Sequence, residues 1–126
     1  MSGPKSTLKP QPTLSLDEFR RQSRTLQINR SNAREKYEAH TQEEAQAEHD
    51  YRVKRATEFA RCVSLGMTAA QAGIQADAEA APLKLKRDLA KSKAKGSLLR
   101  VEELEADRAT LRSIAEWSQR IEGVTA

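Results

Sequence analysis

The sequence predicts an all-α fold: an elongated antiparallel helical hairpin, coiled-coil-like, with a short capped helix at its bend. Three observations predict it. No proline or glycine interrupts the chain between Pro12 and Gly66, so nothing breaks a helix over that span. Apolar residues recur at intervals of three and four. Finally, charged residues make up 32% of the chain, hydrophobic ones 37% and aromatic ones 4%. Too few large side chains exist for a globular core, and thin seams between helices are what such a composition can bury.

The elements follow in order. Residues 1–15 carry Pro4, Pro10 and Pro12 with Gly3 and several Ser and Thr, and this composition predicts a flexible tail. Ser15 or Leu16 opens a first helix over 16–65, with Asp17 and Glu18 placed where a helix N-terminus favours negative charge. Gly66 suits the left-handed position that ends a helix. Thr68 then caps a new one, with Gln71 three residues on to complete a capping box. That short helix, 68–81, is alanine-rich. Pro82 predicts a kink or restart, and a third helix runs over 82–122 to Gly123, with Gly96–Ser97 as a weak point.

Seams can be traced on each helix. Phe19, Leu26, Ala33, Tyr37, Ala47 and Tyr51 share a heptad frame, interrupted by Ser23, Arg30, His40 and Glu44. Val53, Ala56, Ala60, Val63 and Met67 recur at 3-4-3-4 spacing and read as a seam. On the third helix Leu83, Ala90, Leu104 and Leu111 share a position, with Ser97 in the gap.

Placing Leu65 level with Pro82 yields a charge map. Lys84, Lys86, Arg87, Lys91, Lys93 and Lys95 then lie beside Arg52, Lys54, Arg55 and Arg61, making a basic tip. Glu43, Glu44, Glu48 and Asp50 fall near Glu102, Glu103, Glu105 and Asp107 as an acidic waist, and Arg20, Arg21, Arg24, Arg30 and Arg34 make the open end basic. The formal net charge of +4 hides this banding. A basic tip is a candidate polyphosphate contact; alternatively, the bands select a protein partner or fix a register between copies. Lys84, Arg87, Lys91 and Lys95 share a helix face, a stripe suited to tracking a backbone.

Chemistry finds little footing. Cys62 is the only cysteine, so no intramolecular disulfide forms, and no histidine lies near it in sequence. His40 and Glu44 are one helical turn apart, but no Glu-x-x-His pair accompanies them. There is no glycine-rich phosphate loop and no Gly-x-Ser-x-Gly. The expectation is a protein without catalytic residues, metal or cofactor. Gly66-Met67-Thr68-Ala69-Ala70-Gln71-Ala72 has some likeness to the turn of a helix-turn-helix, but Gly73 comes too soon and no polar cap follows it. Trp117, with Ile114 and Ile121, forms the strongest apolar patch of the third helix and is a candidate oligomer anchor. No apolar run approaches the ~18 residues of a membrane span, and a cytoplasmic location is expected.

The Tyr51-Arg52-Val53-Lys54-Arg55-Ala56 segment, the Gly66-Met67-Thr68-Ala69-Ala70 turn and the Leu111…Trp117 end carry a resemblance. Over Tyr37 to Gly123 the chain resembles a group of small helical proteins that tailed bacteriophages encode among their early, DNA-metabolism genes. The resemblance implies a phage context, hence the host cytoplasm, and work on DNA such as recombination or protection of ends. It implies no catalytic residue. The favoured function is therefore a non-enzymatic accessory factor in phage-type DNA transactions, acting through the basic tip. The alternative is a protein-binding module: an inhibitor of a host defence or nuclease complex, or an assembly scaffold. The partners expected are a further copy of the chain, DNA, or a DNA-processing protein of host or phage, with no membrane.

Overall fold

A computed structural model describes residues 13–125, and the side chains of residues 13–121. The expected tail, residues 1–15, lies largely outside the described residues. Two helices account for nearly all of the rest: α1, Leu16–Ser64, and α2, Ala69–Thr125. Among the described residues there is no strand. The fold is an all-α helical hairpin.

Ser15 begins α1. Its hydroxyl accepts a hydrogen bond from the Glu18 amide at 3.2 Å, satisfying one of the donors that a helix start leaves unpaired. At the far end Gly66 adopts φ 91°. The Met67 amide donates to the Cys62 carbonyl at 3.2 Å and the Gly66 amide to that of Val63 at 3.0 Å, the paired bonds of a Schellman motif. Thr68 and Gln71 then exchange reciprocal bonds, each side chain accepting from the other's amide at 3.2 Å. The capping box read from sequence is thus formed.

What it opens differs from expectation. Instead of a short helix over 68–81 and a restart at Pro82, α2 runs 57 residues with Pro82 inside it. Proline removes one amide donor and crowds the carbonyl four residues earlier. Here both Pro82 and Ala78 are solvent-exposed, so the freed carbonyl meets water. Gly96–Ser97 does not interrupt the helix either.

The chain divides into two compact units, each fed by both helices: residues 33–101, and residues up to 32 together with those from 102 on. In the first, the inward residues of α1 are Ala33, Tyr37, His40, Glu44, Ala47, Tyr51, Lys54, Glu58 and Cys62; those of α2 are Ala72, Ala76, Ala80, Leu83, Arg87, Ala90, Ala94, Ser97 and Val101. Both rows step by three and four. His40 and Glu44, read as interruptions, belong to the row, and Ser97 fills its expected place on α2: His40 Nδ1 hydrogen-bonds the Ser97 hydroxyl. Alanine dominates because it lets helices approach closely, and several larger inward residues pair with one another, Lys54 with Glu58 and Arg87 with Tyr51.

In the second unit Leu104 and Leu111 are buried, and Phe19, Leu26 and Leu111 line one cleft. Arg30 donates through Nε and Nη2 to Oε1 of Glu105, at 2.9 and 2.7 Å. Ser118, buried, accepts from the Leu14 amide at 3.0 Å and donates to the Ile114 carbonyl.

Candidate interaction surface

The register of residues 33–101 decides where the predicted site residues fall. Lys93 Nζ lies 3.5 Å from Glu43, Arg87 3.4 Å from Glu48 and Arg55 2.7 Å from Asp77. Lys84 to Lys95 therefore runs beside residues 41–52, not beside Arg52 to Val63. The shift has a simple origin. The reversal is completed between Leu65 and Thr68, so Cys62 and Ala72, not Leu65 and Pro82, stand level.

With this register the charges pair instead of clustering. Arg87 meets Glu48, and its guanidinium sits 4.6 Å from the Tyr51 ring centroid. Arg52 bonds Glu48 at 2.8 Å, and Lys54 and Arg61 flank Glu58 at 3.5 and 3.0 Å. The Arg61 guanidinium, bonded directly, holds the Glu58 carboxyl below its ordinary range. Asp77 raises Arg55 through a hydrogen bond and its charge. The acidic waist does not assemble: Glu43 and Glu48 meet Lys93 and Arg87, while Glu105 meets Arg30. Of the basic stripe, Arg87 is tied into the seam. Lys84, Lys86, Lys91 and Lys95 are exposed, and among the described residues they carry no ion pair.

A second correction concerns the apolar rows. Val53, Ala56, Ala60, Val63 and Met67 are not the seam; all are exposed, Val53 by 49% and Val63 by 46%. They stand on the back of α1, opposite the row that ends in Tyr51, Lys54, Glu58 and Cys62. Extended toward the N-terminus at the same spacing, this back row is Ala39, Gln42, Gln46, His49, Val53, Ala56, Ala60, Val63 and Met67. Its counterpart on α2 is Gln75, Ala78, Pro82, Leu85, Leu89, Ser92, Gly96 and Leu99. Neither row contains Lys, Arg, Asp or Glu, although nine such residues occur within each stretch. Leu85, Leu89 and Leu99 are each more than half exposed. Sequence reasoning that looked for apolar periodicity missed the α2 row. The signal that finds it is the absence of charge every third and fourth residue.

The remaining candidates are placed more plainly. Cys62 is fully buried. Among the described residues no group of three or more His, Cys, Asp and Glu stands close enough to hold a metal ion, and no helix is long and apolar enough to cross a membrane. Trp117 is 37% exposed and lines an open groove of α2 with Thr110, Ser113, Ile114 and Arg120; Ile121 is 39% exposed. Arg30 is engaged by Glu105. A shallow cleft in the same unit is lined by Leu14, Phe19, Ala115 and Gln119, among others. Comparison with protein-family models, with curated proteins and with solved structures gave no match.

Proposed function

We propose that this chain is a non-enzymatic protein-binding module, an assembly scaffold or an inhibitor of another protein complex, which engages partners through the backs of its helices. One observation carries the reading: two charge-free, partly apolar rows exposed to solvent on a chain whose charged share is 32%. Solvated helix backs ordinarily collect Lys, Glu and Arg, and a contiguous exposed row without them marks a contact surface. Crosslinking mass spectrometry in the native host tests it. Links from Lys86, Lys93 and Lys95 to a protein should be present, and they should vanish when Ala60 and Leu89 are changed to Glu. No such links in the unmodified chain would overturn it.

A second reading is supported by the four unpaired lysines. Lys84, Lys86, Lys91 and Lys95 are free to neutralise phosphates, and the phage resemblance favours DNA. It predicts duplex binding that weakens steeply from low to physiological salt, and that replacing Lys84, Lys91 and Lys95 with Glu abolishes.

A further inference from the structure

Resting on the protein-binding reading above, we propose that the partner of these helix backs is another copy of this chain. Copies stand side by side in the same orientation, the back of α1 in one against the back of α2 in the next.

Inside the protein α1 and α2 are antiparallel, with Glu43 level with Lys93 and Glu48 level with Arg87. The charge-free rows occupy nearly the same axial stretch: by that register Ala39 stands level with Gly96, Val53 with Pro82, and Val63 with Ala72. A copy displaced sideways without rotation and slid about three residues along the helix axis, roughly 4.5 Å, lays row on row over their shared length. Val53 meets Leu85, Ala60 meets Ala78, His49 meets Leu89 and Gln42 meets Gly96. Two rows of unrelated purpose need not share their extent.

Charge complementarity selects this pairing over the alternatives. Flanking the aligned rows, Asp50 of one copy falls opposite Lys86 of the next, and Arg52 opposite Asp88. Among the described residues Lys86 has no ion pair within its own chain. Pairing two α2 backs with Ser92 against Gly96 would instead bring Lys86 beside Arg100 and Lys93 beside Lys93. Pairing two α1 backs with His49 against Val53 would set Arg52 against Arg52. Like charges in such positions oppose association.

Gly96 adds an independent sign. A Cβ built there meets nothing within 4 Å, so no contact inside the protein requires glycine, although glycine in a helix interior costs about 1 kcal/mol relative to alanine. Close approach by a neighbouring helix supplies the requirement. Because the two surfaces differ, each copy added leaves one of each kind open. The contact is heterologous and builds a ring or an open filament, not a closed dimer.

The test uses the full chain and two variants, with mass read by light scattering across concentration and helix content by circular dichroism. Val53→Glu with Ala60→Glu blocks the α1 back, and Leu85→Glu with Leu89→Glu blocks the α2 back. The expected result is assemblies larger than dimers for the unmodified chain, monomers for each variant, and a one-to-one dimer on mixing the variants. A monomeric unmodified chain would overturn the proposal while leaving crosslinks to a different protein, and the broader reading, intact. A variant that dimerises alone, or a mixture that stays monomeric, would overturn it equally. Should a variant lose helix content, chains carrying Val53→Cys and Leu85→Cys replace it. Oxidation should then give a ladder beyond dimers, and its absence refutes the contact.

Discussion

The guanidinium of Arg87 lies over the ring of Tyr51, 4.6 Å from its centroid, and at the same time faces Glu48 at 3.4 Å. One α2 side chain thereby grips the inward Tyr51 and, about one turn before it, Glu48 at the edge of the row. Replacing Arg87 with Ala removes both contacts and should lower Tm by several degrees. Arg87→Lys keeps the charge but not the planar stack and should fall between the two. Equal Tm for all three chains would show that the contact does not fix the register.

Arg30 and Glu105 form the corresponding ion pair in the other unit, with two bonds to one oxygen. A double-mutant cycle with Arg30→Ala and Glu105→Ala, followed by urea unfolding, should return a coupling of about 0.5–1 kcal/mol. High salt should reduce it.

Gly66 and Gly96 should respond in opposite senses to alanine. Gly66 holds φ 91°, and alanine there should destabilise by about 1 kcal/mol. At Gly96 the helix is regular and the space open, so Gly96→Ala should raise the stability of the isolated protomer by about 1 kcal/mol. Thermal denaturation at low concentration reads both.

Glu58 gives a pH dependence with a definite sign. Its folded carboxyl is held below the ordinary range, chiefly by the hydrogen bond from Arg61. The unfolded state therefore binds the proton more readily, and stability rises with pH through that window. The contribution is complete above the unfolded carboxyl range, near about pH 4–5, and is lost as pH falls through the folded value. The difference in Tm between the unmodified chain and Glu58→Gln should shrink on acidification. A difference constant with pH would remove the ion pair as its cause.

Much of this fold is legible in the residues. The Gly66 stop and the Thr68–Gln71 cap are local chemistry, and local chemistry is read correctly from a few neighbours. Pro82 misleads because its cost depends on what its freed carbonyl meets, and an exposed back leaves that carbonyl to water. Register is the larger loss. Measuring the reversal from Pro82 instead of Thr68 displaces α2 by about three turns, enough to set lysine against arginine where the protein sets lysine against glutamate. Val53 to Met67 reads as the seam because it is the more apolar row of α1. The protein turns Tyr51, Lys54, Glu58 and Cys62 inward instead, and their ion pairs and small volumes suit close helices better. Apolar periodicity identifies a contact face without saying whether the contact lies within one chain or between two.

Cys62, wholly enclosed beside the reversal, makes the bend itself something that can be timed. A thiol reagent reaches that sulfur only when the last turn of α1 parts from the opening of α2, so the alkylation rate under native conditions counts openings of the bend. Any ligand or neighbour that clamps this end should slow the reaction without touching the sulfur.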